Sequence, residues 1–110
     1  MIGNAPTLAA GPYEVPNARL EGTAVYTNNL PCGAMRGFGA VQACVAFEGQ
    51  MDKLATRLGM DPIELRLKNA MKTGSVMPTG QPIPGSAPVA ELLSRAAAVP
   101  MPASEPPPAP

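Results

Sequence analysis

Large side chains are scarce in this chain: aromatics make up 4% of its 110 residues and tryptophan is absent. With so little area to bury per residue, any core formed by these residues alone must be thin. Charge of one sign is also missing, because eight basic and eight acidic residues cancel. No Lys/Arg run or basic–aromatic interleaving appears, so nucleic acid and anionic lipid are excluded as partners. Histidine is absent too, and the two cysteines, Cys32 and Cys44, match neither a zinc nor an iron–sulfur spacing. They read as reduced, buried thiols. No run approaches the roughly 20 apolar residues of a membrane span, and Met1–Asn4 lacks the charged and apolar regions of a signal peptide. A cytoplasmic protein without a membrane partner is the expectation.

What the chain has in quantity is proline (15) and glycine (11), nearly a quarter of the residues, which predicts a loop-rich build. The opening stretch to Asn17 holds Pro6, Gly11, Pro12 and Pro16 and reads as an irregular or extended lead-in. From Arg19 to Thr27 polar and apolar residues partly alternate, with β-branched Thr23, Val25 and Thr27, which predicts a strand. Asn28–Pro31 supplies a turn, and glycines then cluster at Gly33, Gly37 and Gly39.

Two helices follow. Val41, Cys44, Val45, Met51, Leu54, Ala55 and Leu58 recur at helical spacing from about Ala40 to Leu58, with Gly59 as a left-handed cap. Asp61-Pro62-Ile63-Glu64 is a restart signal: an N-cap, a proline at the first helical position and a glutamate reaching back. The second helix runs to about Asn69, with Ile63, Leu67 and Ala70 on its inner face, and folds against the first helix or the strand. Glu48, Asp52 and Lys53 read as solvated helix positions. Ten of the fifteen prolines lie at or after Pro78, leaving room for one short helix near Val89–Ala97. The fold class is therefore α+β (mixed α/β), with one or two strands, a glycine-rich loop and two to three helices. Residues 1–98 form a partial domain, and 99–110 a proline-rich linker or truncated tail.

The chemistry concentrates in Cys32-Gly33-Ala34-Met35-Arg36-Gly37-Phe38-Gly39-Ala40-Val41-Gln42. Glycines let backbone N–H groups approach an anion, and the following helix contributes the positive end of its dipole. The spacing spells neither the dinucleotide fingerprint nor a P-loop. A tight strand-to-helix turn, with Arg36 on the surface and Phe38 in the core, fits the same residues.

That segment resembles the R-G-F-G-x-x-Q loop of the xanthine dehydrogenase and aldehyde oxidase family's molybdopterin-binding large subunits. Three other blocks agree in order: Tyr13-Glu14-Val15-Pro16-Asn17 resembles Y-x-x-P-N, Thr27-Asn28 resembles T-N, and Gly59–Asn69 resembles G-x-D-P-x-E-x-R-x-K-N. The resemblance implies a fragment of the molybdopterin-binding domain of a molybdenum hydroxylase. Such an oxidoreductase hydroxylates purines, other N-heterocycles or aldehydes with water as oxygen source, and the fragment alone is expected to be inactive. It further implies that Arg36, Gly37, Gly39 and Gln42 bind the molybdenum–molybdopterin cofactor, Arg36 near the metal without ligating it, and that Phe38 contacts a flat heteroaromatic or aldehyde substrate. Gln42 fits a plain helix-surface role as well. Iron–sulfur clusters and FAD belong to other domains or subunits, which with the rest of the large subunit are the implied partners. The family's general base lies toward the C-terminus of full-length subunits, so no catalytic residue is expected here. Xanthine-oxidising members carry a substrate-binding arginine about nine residues before the tyrosine of Y-x-x-P-N; the matching residue here is Asn4. The competing readings are a noncatalytic helical interaction module with a proline-rich docking tail, and a truncated product without function.

Overall fold

The computed structural model describes residues 3–30, 33 and 35–100. Four helices follow one another: α1 (Asn4–Thr7), α2 (Ala40–Leu58), α3 (Pro62–Asn69) and α4 (Val89–Ala97). Among the described residues α2 packs on α1 and α3, and α3 on α4.

The bounds of α2 follow from its ends. Gly59 takes the left-handed conformation at φ 63°, and its own N–H and that of Met60 close the last turn on the Thr56 and Ala55 carbonyls. Asp61 then caps α3 by accepting from the Ile63 and Glu64 amides at 2.8 and 2.9 Å, with Pro62 at the first helical position. The Glu64 side chain does not reach back as the sequence predicts; it pairs with Lys68 one turn on, at 3.0 Å. The last helix, α4, begins after Pro88 and spans the predicted residues.

The predicted strand over residues 19–27 does not form. Among the described residues the segment is extended but exposed, and its backbone meets no ladder partner. A strand exists only when a second one answers its N–H and C=O groups, and here none does. The structure is mostly helical; β pairing among the described residues consists of two isolated antiparallel bridges, Tyr13–Ala70 and Val76–Pro82. The first is a clasp, in which the Glu14 amide donates to the Asn69 carbonyl at 2.8 Å and the Met71 amide to Pro12 at 2.9 Å. The second closes a small loop from Gly74 to Ile83. The lead-in, read as irregular, begins with the four-residue α1.

The core is as thin as the composition predicts: Tyr13, Ala55, Leu65 and Met71 are its buried apolar residues. On α3 it is Leu65 that is buried, while Ile63, Leu67 and Ala70 are only half-buried. The predicted inner face of α2 is likewise largely uncovered, with Val41, Val45, Leu54 and Leu58 exposed and Ala55 fully buried. Periodicity identifies a face that prefers burial; the covering surface must come from elsewhere, and these residues do not supply it. The Cα radius of gyration, 17.0 Å, accordingly exceeds the roughly 13 Å of a compact domain of this size. Cys44 is free, as expected, but exposed on that same uncovered helix rather than buried. Cys32 lies outside the described residues.

Candidate cofactor-binding loop

Arg36, Gly37, Phe38 and Gly39 form the turn that enters α2. Gly37, Phe38 and Gly39 all have positive φ, at 93°, 49° and 100°. Three successive residues in that region reverse the chain tightly, and glycine on either side limits the strain to one residue. Phe38 is that residue, and its side chain is 51% exposed. Among the described residues, then, Phe38 is held in an unfavourable backbone conformation without being buried.

The turn leaves the head of α2 open. Among the described residues no side chain caps it, and its first turn carries no acidic residue. The Ala40 amide donates to Gly37 and the Ala43 amide to Gly39, whereas the Val41 and Gln42 amides find no backbone acceptor among the described residues. These are the orphan donors of a helix start, at the positive end of a 19-residue helix. Arg36 and Gln42 are both exposed beside them. Among the described residues no carboxylate lies in ion-pair range of Arg36. Between Glu21 and Glu48 it is the only charged side chain in the sequence. Arg36, Gln42 and the two amides offer a set made of donors, suited to an oxygen-rich anion.

A groove lies on the flank of α2. It has a volume of about 590 Å³ and is lined by Ala9, Tyr13, Ala43, Phe47, Leu54 and Leu65 among others. Arg36, Phe38 and Gln42 do not line it.

The sequence reading missed the polar cluster behind that groove. The Tyr13 hydroxyl donates to Glu48 Oε1 at 2.7 Å, and Arg66 Nε donates to Glu48 Oε2 at 2.8 Å. Arg66 also pairs with Asp52 Oδ1 at 2.8 Å. Glu48 is therefore not a free solvated position, whereas Asp52 and Lys53 are exposed as expected; the one-turn spacing of Glu48 and Asp52 lets one guanidinium grip both. Burial, with the hydrogen bond and charge of Glu48, pushes the Tyr13 hydroxyl up to about 12. For Arg66, desolvation works against the charged form, but the hydrogen bonds and charges of Glu48 and Asp52 together outweigh it and hold the proton more tightly than usual. A signal for this cluster was present, since Tyr13 and Arg66 are both motif positions of the resemblance.

The sequence profile of the molybdopterin cofactor-binding domain family matches residues 1–70. The chain belongs to that family. It is 48% identical over 96 residues to the nicotinate dehydrogenase large molybdopterin subunit of Eubacterium barkeri, covering 87% of this chain and 23% of that protein. It is 44% identical over 90 residues to a probable xanthine dehydrogenase component of Bacillus subtilis (strain 168), covering 79% of this chain and 12% of the relative. To the aldehyde oxidoreductase of Megalodesulfovibrio gigas it is 51% identical over 80 residues, covering 73% and 9%. The chain thus spans less than a quarter of the length of these relatives. The donor set at the head of α2 fits the family's cofactor, which carries anionic oxygens. Among the described residues no helix is long and apolar enough to cross a membrane.

Proposed function

We propose that the chain is part of the cofactor-binding large subunit of a molybdenum hydroxylase, and that its glycine turn is one wall of the cofactor site. The observation that carries this reading is the run of positive φ at Gly37, Phe38 and Gly39, set at an open helix start beside the single cation Arg36. When bound, the molybdenum cofactor supplies the redox chemistry that places a water-derived oxygen on an electron-poor carbon. The chain's own residues bind and orient. Arg36 neutralises anionic oxygen with a planar fork of donors, Gln42 adds an amide, and Gly37 and Gly39 let the backbone approach. Phe38 presents an aromatic face to a flat heteroaromatic or aldehyde substrate, and its exposure supports this role.

In this reading residues 1–98 are a portion of the domain and 99–110 a proline-rich linker or truncated tail, of which 101–110 lie outside the described residues. The rest of the large subunit covers the apolar face of α2, iron–sulfur and FAD domains or subunits take up the electrons, and the assembly works in the cytoplasm. The 110 residues alone are inactive. Asn4 stands where purine-oxidising members place an arginine, which disfavours purines as substrates.

The test places Arg36→Ala and Phe38→Ala separately in the complete subunit. Arg36→Ala is expected to lower molybdenum and pterin content, and Phe38→Ala to raise KM with the cofactor retained. Wild-type cofactor content and turnover in both variants would remove the reading.

A further inference from the structure

We propose that Tyr13, Glu48 and Arg66 form a positioning lock that sets the roll of α2 about its axis, and thereby the aim of Arg36, Gln42 and the open amides at its head. The inference rests on the turn being a cofactor wall, but none of the three residues would touch the cofactor.

Two kinds of contact hold α2. The apolar ones are few and non-directional: Ala55 is its single buried residue, and Phe47 sets its ring edge-on to Tyr13, with centroids 6.2 Å apart. The directional ones converge on one helical turn. Among the described residues, the side-chain hydrogen bonds and ion pairs that join α2 to other elements all end on Glu48 or Asp52.

Both oxygens of Glu48 are engaged, and from different directions. Tyr13, on the lead-in, takes Oε1, while Arg66, on α3, takes Oε2 through Nε at 2.8 Å. The Arg66 fork also reaches the Glu48 backbone carbonyl at 3.2 Å and Asp52 at 2.8 Å, and its other terminal nitrogen holds the Pro62 carbonyl at 3.1 Å. The Arg66 side chain is 13% exposed and Glu48 32%, so their pairing is partly shielded from water and counterions, while Asp52, 62% exposed, adds a solvated contact. A carboxylate held from two sides cannot swing, and neither can the helix that carries it.

Roll matters at the head of α2 because donors there must meet fixed acceptor atoms. A side chain about 6 Å from the helix axis moves roughly 2 Å when the helix rolls by about 20°. Hydrogen bonds span a window of only about half an ångström, so such a roll breaks them. Between Gln42 and Glu48 the helix is regular, which transmits the roll undiminished.

The test uses the cofactor-loaded full-length subunit carrying Glu48→Gln, Arg66→Lys or Tyr13→Phe, with Arg36→Ala for comparison. Pterin and molybdenum release are timed far below each variant's melting midpoint, where the folded state dominates and a merely stabilising role leaves the rate unchanged. Glu48→Gln and Arg66→Lys are expected to release cofactor about tenfold faster. Lysine keeps the charge but cannot span both carboxylates, so it should not rescue. Tyr13→Phe removes a single hydrogen bond, keeps the ring and gives a variant that folds; its release should be about threefold faster. Wild-type release rates in the folded lock variants, alongside fast release from Arg36→Ala, would overturn the lock alone. A wild-type rate in Arg36→Ala would instead remove the cofactor-wall reading beneath it.

Discussion

The Tyr13 hydroxyl donates to Glu48 Oε1 at 2.7 Å across 35 residues of sequence, joining the proline-rich lead-in to the middle of the longest helix. The hydroxyl is raised to about 12, so the folded state keeps its proton where an unfolded tyrosine loses it near 10. A raised folded-state value contributes stability in full below the unfolded value and loses it as pH climbs through the folded one. Urea midpoints of the chain should therefore fall between about pH 10 and 12. Tyr13→Phe should flatten that fall; an unchanged alkaline slope would mean that the hydroxyl is not linked to folding.

Gly11 tests how closely the lead-in approaches α2. Its φ is 62°, and a Cβ there would lie 2.5 Å from Phe47 Cε2. Gly11→Ala is expected to destabilise by about 1–3 kcal/mol in chemical denaturation, from backbone strain and overpacking combined. Replacing Phe47 with leucine as well should relieve part of that cost, and strictly additive effects would show that the two residues do not meet.

Asp61→Ala should cost about 1 kcal/mol, because two amides at the start of α3 lose their shared acceptor. Asp61→Asn retains an acceptor oxygen and should recover most of the loss. Helicity measured by circular dichroism, together with the denaturation midpoint, separates the two variants.

Phe38→Gly carries the opposite expectation. The side chain is half exposed and the backbone has positive φ, so glycine relieves strain and removes little buried area. Stability should hold or rise by up to about 1 kcal/mol, whereas substrate affinity of the loaded subunit falls. A loss of several kcal/mol would show that the ring is a packing element after all.

The helices were legible because their signals are local. Gly59, Asp61 and Pro62 fix a helix end, a cap and a restart within four residues, and no distant residue can change that chemistry. The glycine-rich loop was legible as a loop for the same reason, and Gly37 and Gly39 within it have positive φ. What could not be read depends on residues far apart. The 19–27 segment has a strand's composition, but pairing is a property of two segments, and its second is not among the described residues. Glu48 looked solvated because periodicity reports a helix face and is silent about Tyr13, 35 positions earlier. Cys44 and the apolar face of α2 were misjudged alike, since a preference for burial was taken for burial.

The clasp between residues 12–14 and 69–71 has a mechanical consequence. Its two backbone bonds, Glu14 to Asn69 and Met71 to Pro12, stand at the neck of a loop that contains the glycine turn, α2 and α3. Tension applied to the chain on either side of that neck is divided between those bonds, which open one after the other like a zipper, and the packing of α1 on α2 and of α4 on α3. Motion elsewhere in a larger assembly would thus be shared by the neck and these helix contacts before it disturbed the turn at Arg36.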